Sequence, residues 1–347
     1  MRAIQMKSVK NLKLVELDKP VPEKDEVLLK VMAVGVCGSD IPRINKYGSH
    51  VLPIIPGHEF AGKVVKVGEE VNKWSIGDRV CVAPLIPCYE CRWCETGNYS
   101  LCEDYSYYGS RRNGAMAEYI TVKAKNLIGL NDNIPYDWGA TIDPAANAIH
   151  AFLQGRITKK DSVCIFGMGA IGLFAIQYAK AMGIKKVFAV DINDEKLSAA
   201  KACGADLTIN SSTQDVLEEI DRLTCGQGVS AILEMSGSPI AQHQAILISQ
   251  KLGRIVFLGI SHEQLTLSKK AVESILRKQL SIIGSWNSFS NPFPGAEWTE
   301  AVRLMSEGKL SAREIITHKL ELEDVPEVFK KIDEEKFYFN KIMFYPN

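Results

Sequence analysis

The stretch Ser162-Val163-Cys164-Ile165-Phe166-Gly167-Met168-Gly169-Ala170-Ile171-Gly172 decides the fold. Five mostly apolar residues lead into Gly-x-Gly-x-x-Gly, which opens a stretch of helical texture, Ala170–Met182. In such a turn the first glycine permits the tight bend. The second lets the backbone approach a pyrophosphate, and the third allows the helix to pack closely on the strand, with its N-terminus facing the anion. The glycines alone are weak evidence, but here they stand between a strand and a helix. Asp191 also ends the next apolar run, 19 residues beyond Gly172. A carboxylate there would bond a ribose 2′-hydroxyl and repel a 2′-phosphate. Ile192 and Asn193 follow with no arginine, so NAD is expected rather than NADP. Gly167, Gly169, Ala170, Ile171, Gly172 and Asp191 form the expected cofactor-binding set. The competing reading is a plain strand-to-helix turn with Asp191 as a helix cap.

Around this unit, short apolar runs alternate with helical stretches. Strands are expected at Ser162–Phe166, Lys186–Val190, Leu207–Ile209, Ala231–Met235, Arg254–Leu258 and Leu280–Ile283. Helices are expected at Ala170–Met182, Asp194–Ala202, Asp215–Leu223, Ile240–Gln250 and Lys269–Arg277. Six strands alternating with helices describe an α/β, doubly wound parallel sheet. The first 140 or so residues read differently. Runs such as Glu26–Ala33, Gly62–Val67, Asp78–Ala83 and Ala117–Val122, punctuated by Gly and Pro, predict a β-rich module with long loops. After Gly284 the pattern becomes irregular and helical, over too few residues for a comfortable domain. The expected organisation is a β-rich domain over 1–147, a dinucleotide-binding domain over 148–285 and a returning segment over 286–347.

Forty-one basic residues balance forty-one acidic ones, which argues against a nucleic-acid or polybasic membrane partner. Charges at Arg2, Lys7, Lys10 and Lys13 prevent an apolar signal core, and the most membrane-like stretch, 164–184, contains the glycine turn, Gln177 and Lys180. A soluble cytoplasmic protein with a small-molecule partner is expected. Nine cysteines, an odd number in a long chain, point to metal sites or buried thiols rather than a disulfide scaffold.

Cys88, Cys91, Cys94 and Cys102 are separated by two, two and seven residues. Four thiolates so close in sequence can close a tetrahedral zinc site, which makes it structural. The ferredoxin spacing differs in its last interval and in the proline after its last cysteine, whereas Glu103 follows here. A second constellation is scattered: Cys37 in Gly35–Asp40, His58-Glu59 after Pro56-Gly57, and Asp143 before Pro144. A mixed Cys, His and carboxylate set with room for water suits catalytic zinc, although each residue alone has ordinary readings.

With these motifs in order, the sequence resembles the zinc-dependent medium-chain dehydrogenase/reductase family over essentially its whole length. The resemblance rests on GVCGSD, GHEFAGKVVKVGEEV, GDRV, the four-cysteine loop and GMGAIG. It implies a GroES-like catalytic domain with an inserted Rossmann domain, NAD, and two zinc ions per chain. It also implies Cys37, His58, Glu59 and Asp143 as the catalytic zinc set, with Ser39 as a proton-relay hydroxyl that His50 could extend. The implied reaction is oxidation of a secondary alcohol. Polyol dehydrogenases usually carry Glu-Pro where this chain has Asp143-Pro144, and Asp-Pro with Asn147 is more like threonine dehydrogenases. The segments CGSDIPRINKYGSH, YGSRRNGAMAEYI and IIGSWNSFSNPFPGAEW instead resemble the polyol and polyol-phosphate branch. A phosphate would want cations, for which Arg43, Lys46, Arg111 and Arg112 are candidates, and Trp286 and Asn287 could line a polyol pocket. Cys81, Cys164, Cys203 and Cys225 lack ligand spacing and are expected to be small buried hydrophobes. A homo-oligomer, dimer or tetramer, is expected, and a non-catalytic nucleotide-binding protein is the rival class.

Overall fold

The computed structural model describes residues 1–334 and 338–346, so 335–337 and 347 of the expected returning segment lie outside the described residues. The chain forms two compact units: Met1–Asp143 with Ser288–Glu307 and Ile316–Asn347, and Pro144–Asn287 with Gly308–Ile315.

The first unit begins with a hairpin of β1 (Arg2–Ser8) and β2 (Asn11–Glu16). Strands β3 (Glu26–Gly35), β4 (Glu59–Val67), β5 (Arg79–Val82), β8 (Tyr119–Lys123) and β9 (Leu127–Gly129) follow. Between them come the short helices α1 (Asp40–Pro42) and α2 (Arg92–Glu95), the two-residue strands β6 (Leu85–Ile86) and β7 (Ser106–Tyr107), and then α3 (Tyr136–Gly139). The apolar face of this sheet packs with Leu322, Val325, Phe329, Ile342 and Phe344 of the C-terminal segment in one core. Helix α4 (Ile142–Gln154) carries the chain from the first unit into the second.

In the second unit, β10 (Ser162–Phe166), β11 (Lys186–Asp191), β12 (Leu207–Asn210), β13 (Val229–Glu234), β14 (Ser249–Phe257) and β15 (Ser281–Gly284) make one parallel sheet. Its order is β12-β11-β10-β13-β14-β15. The helices between are α5 (Ala170–Ala181), α6 (Asp194–Ala202), α7 (Val216–Thr224), α8 (Pro239–Ile248) and α9 (Lys269–Arg277). All six residues of β13 are buried, as expected for a strand covered on both faces. Start signals are explicit: Asn193 accepts from the Lys196 N–H, and Asp215 from the Leu217 and Glu218 N–H groups. Helix α8 ends two residues earlier than expected, because Ser249 and Gln250 already belong to β14.

The final segment corrects the expectation of irregular and helical structure. Beyond α10 (Ala296–Ser306) it supplies β16 (Ile316–Glu321), α11 (Val325–Asp333) and β17 (Lys341–Tyr345). Strand β17 pairs with β3, completing the order β16-β17-β3-β4-β5-β9, with β8 also on β3. Residues Gly308–Ile315, expected in the returning segment, belong to the second unit. The Gln177 amide donates to Ser311 O at 3.0 Å and accepts from Ser311 N at 2.7 Å. Among the described residues no helix is long and apolar enough to cross a membrane.

Candidate zinc and dinucleotide sites

Antiparallel pairing of β3 and β4 ends with Gly35 opposite Glu59, which brings Cys37 beside His58 and Glu59 across the 20 residues of chain between Cys37 and His58. Gly57, at φ +92°, makes the turn into His58, and a Cβ there would meet Val34 at 2.9 Å. Gly35 must also be bare: a Cβ would lie 3.0 Å from Glu59 Oε2. One ligand atom each from Cys37, His58 and Glu59 falls within 4.8 Å of the others. Asp143, buried in the first turn of α4, is outside that set, although its charge reaches Tyr107 and Cys81. The structure therefore assembles three of the four residues named from sequence.

The surroundings of the three are ordered. His58 Nδ1 is buried without a hydrogen-bond partner, yet sits 3.3 Å from Asp40 Oδ1. Asp40 is fully buried, accepts from Cys37 N at 3.1 Å and takes Arg43 Nη1 at 2.9 Å. Burial alone would raise the Asp40 carboxyl, but His58 and Arg43 lower it overall. Burial works to lower the His58 imidazole, and Asp40 and Cys37 together carry it well above its ordinary value. Ser39 stands at the N-cap of α1, but its hydroxyl does not cap the helix and points to Cys37 Sγ at 3.3 Å. His50 is exposed, and desolvation with the charges of Arg111 and Arg43 lowers its pKa.

Two participants had no sequence signal. Lys341, on β17, is 3% exposed and donates to Glu59 Oε2 at 2.5 Å and Val36 O at 2.8 Å. Tyr107, opposite Leu85 in the β6–β7 pair, sets its ring edge-on to His58 with centroids 5.5 Å apart.

Of the cationic candidates, Arg111 is exposed and its guanidinium lies over the Tyr105 ring at 4.6 Å. Lys46 is exposed, and Arg43 is bound to Asp40. Arg112 is committed elsewhere: it pairs with buried Glu26 at 3.3 Å and covers Tyr108, so it corrects the expectation of a substrate contact. Trp286, 48% exposed, and Asn287, at φ 55°, belong to the second unit.

The four loop cysteines converge around α2, each with a sulfur within 4.8 Å of the others. Cys88 N donates to Cys102 Sγ at 3.2 Å and Cys91 N to Cys88 Sγ at 3.3 Å, as amides do towards thiolates. Backbone N–H groups of Glu103 and Cys94 pull the Cys91 thiol down to about 6. With Cys88 and Cys94 sulfurs 3.8 Å apart and all nine cysteines free, this is a ligand cage and not a disulfide. Four convergent thiols fit structural zinc, and the Cys37, His58, Glu59 set with Asp40 behind the imidazole fits zinc held by three protein ligands. Of the remaining cysteines, Cys81 and Cys164 are buried, but Cys225 is exposed at the left-handed C-cap of α7, against expectation.

The three glycines of the turn differ in their surroundings. Gly167 is at φ +90°, and a Cβ on Gly172 would lie 2.0 Å from Gly167 O. A Cβ on Gly169 would meet nothing within 4 Å, so its backbone faces open space at the N-terminus of α5, which no side chain caps. Ala170 and Ile171 supply the first N–H groups of that helix. Asp191 braces the turn, accepting from Met168 N at 2.7 Å and Asn193 N at 3.1 Å.

A three-ligand metal set on a GroES-like sheet, with a Rossmann unit carrying a dinucleotide turn, defines a zinc-dependent oxidoreductase. The alcohol dehydrogenase GroES-like domain family matches residues 23–132, and the zinc-binding dehydrogenase family matches residues 170–307. Galactitol 1-phosphate 5-dehydrogenase of Escherichia coli K12 is 41% identical over 90% of each chain. L-Threonine 3-dehydrogenase of Pyrococcus horikoshii is 36% identical over 88% of this chain and 87% of its own. A crystal structure of galactitol-1-phosphate dehydrogenase from Escherichia coli superposes with a TM-score of 0.95, at 38% identity, over the whole of both chains. The chain belongs to the zinc-dependent medium-chain dehydrogenase family and is an alcohol or polyol dehydrogenase using a nicotinamide cofactor.

Proposed function

We propose that the protein oxidises a secondary alcohol of a polyol phosphate to the ketose phosphate with NAD, and that galactitol 1-phosphate, giving tagatose 6-phosphate, is the substrate. The observation that carries this reading is the Cys37, His58, Glu59 set in one unit with exposed Arg111, whose guanidinium lies over the Tyr105 ring, while Arg43 is held by Asp40. An anionic end of a substrate has guanidinium donors there. The relative of 41% identity with a phosphorylated polyol in its name supports the same choice over threonine.

Cys37, His58 and Glu59 would hold the catalytic zinc, with Asp143 outside that set, and Cys88, Cys91, Cys94 and Cys102 the structural one. When bound, zinc would supply Lewis-acid polarisation and NAD would serve as the hydride acceptor. The chain supplies the rest. Asp40, 3.3 Å from His58 Nδ1, would orient the ring and leave Nε2 for the metal. Ser39 places a hydroxyl beside Cys37 that would relay the alcohol proton, accepting it as it gives up its own, with exposed His50 as the proposed carrier to solvent. In the second unit, Gly169 with Ala170 and Ile171 would receive the pyrophosphate, and Asp191 the ribose.

The test is NAD reduction on galactitol 1-phosphate, galactitol and L-threonine. The phosphate ester should be preferred, and Arg111→Ala should raise its KM about tenfold while leaving galactitol unchanged. Preference for threonine would overturn the reading. A dimer or tetramer is part of the proposal, and light scattering checks it.

A further inference from the structure

Tyr107 and Tyr108 are neighbours with opposite fates. Successive side chains of a strand point to opposite faces. Tyr108 is fully buried, and its hydroxyl accepts from Lys123 N at 2.9 Å. Tyr107 turns to the metal set instead. Its ring meets His58 edge-on at 5.5 Å and Tyr105 at 6.4 Å, and Tyr105 in turn carries Arg111. Burial, and after it the charges of Asp143 and Cys37, hold its phenol well above the ordinary value and so neutral. Among the described residues nothing hydrogen-bonds the Tyr107 hydroxyl, and the side chain is only partly buried. A phenylalanine would supply the same ring contact, so the hydroxyl has no work within the protein. A neutral phenol can both donate and accept, which is what reading another hydroxyl requires.

We infer that Tyr107 is a specificity residue whose hydroxyl hydrogen-bonds the alcohol group on the carbon next to the one oxidised, so that the site selects vicinal diols over monohydric alcohols. The inference rests on the proposed function, because it takes the Cys37, His58, Glu59 set as the place where the alcohol reacts. It concerns the second hydroxyl and not the phosphate, so Arg111 does not enter its test.

The experiment compares wild-type and Tyr107→Phe holoenzyme on a matched pair, butane-2,3-diol and butan-2-ol, with NAD reduction and zinc content measured for both proteins. The variant keeps the ring against His58, so zinc content should stay the same. Loss of one neutral hydrogen bond should lower kcat/KM for the diol about tenfold. For butan-2-ol it should stay within about twofold. Equal losses on both alcohols, or no loss on either, would overturn the role of Tyr107 while leaving the dehydrogenase reading intact. A wild type inactive on both these alcohols and on every polyol and polyol phosphate overturns the proposed function and the role of Tyr107 with it.

Discussion

Replacing Lys341 by Met tests the arrangement behind the metal set. Met keeps most of the aliphatic volume, so the change removes a charge without opening a large cavity. Both partners of the ion pair are 3% exposed, and the ammonium also holds Val36 O. Burial opposes the charge on Lys341, and Glu59, then Cys37, more than restore it. Removing one partner of such a pair strands the other charge in the interior and costs about 3–5 kcal/mol. Removing both costs much less, since paired burial roughly cancels its own desolvation. In metal-free protein, Lys341→Met should therefore lower unfolding stability by about 3–5 kcal/mol, and Glu59→Met combined with Lys341→Met should recover most of it.

Zinc should change the result. With Lys341 gone, the Glu59 carboxylate has a cation to bind only at the metal, so zinc should recover more stability in Lys341→Met than in the wild type. Urea unfolding with and without zinc, followed by tryptophan fluorescence, reads all four corners of the cycle. A single-variant loss under about 1 kcal/mol, with the double variant additive, would show that the pair is solvated and would refute the argument.

Other outcomes separate the remaining sites. Cys37→Ser should remove one zinc per chain and abolish turnover while the circular dichroism spectrum stays native. Cys94→Ser should remove the other zinc and lower thermal stability, as read by metal analysis and a melting curve. Asp191→Ala should narrow the preference for NAD over NADP, measured as the ratio of kcat/KM values. It should also weaken both cofactors, because the carboxylate holds Met168 N in the turn that would receive the pyrophosphate. An unchanged ratio would show that Asp191 does not read the ribose.

Legibility in the sequence followed the range of the interactions. The glycine turn and the four-cysteine cage are local: each is complete within 15 residues, so spacing alone encodes their geometry. Cys37 with His58 and Glu59 needed the β3–β4 register to converge, so residue chemistry suggested that set and family resemblance was needed to tie it together. What escaped was long-range or carried by weak local signals. Strand β16 alternates half-buried and exposed residues along a sheet edge, and β17 is five residues long, so neither announces itself. Arg111 and Arg112 are adjacent and chemically alike, yet one is exposed over Tyr105 and the other is tied to Glu26, 86 residues away. Lys341 is the sharpest case. A lysine opening an apolar strand reads as a solvated end, since lysine is rarely buried without a partner. Its partner Glu59 is 282 residues away, across a strand pairing that no periodicity encodes. Glu59 therefore enters the structure as both a metal-ligand candidate and one half of a buried ion pair. The sequence motif around His58 registers only the first of these roles.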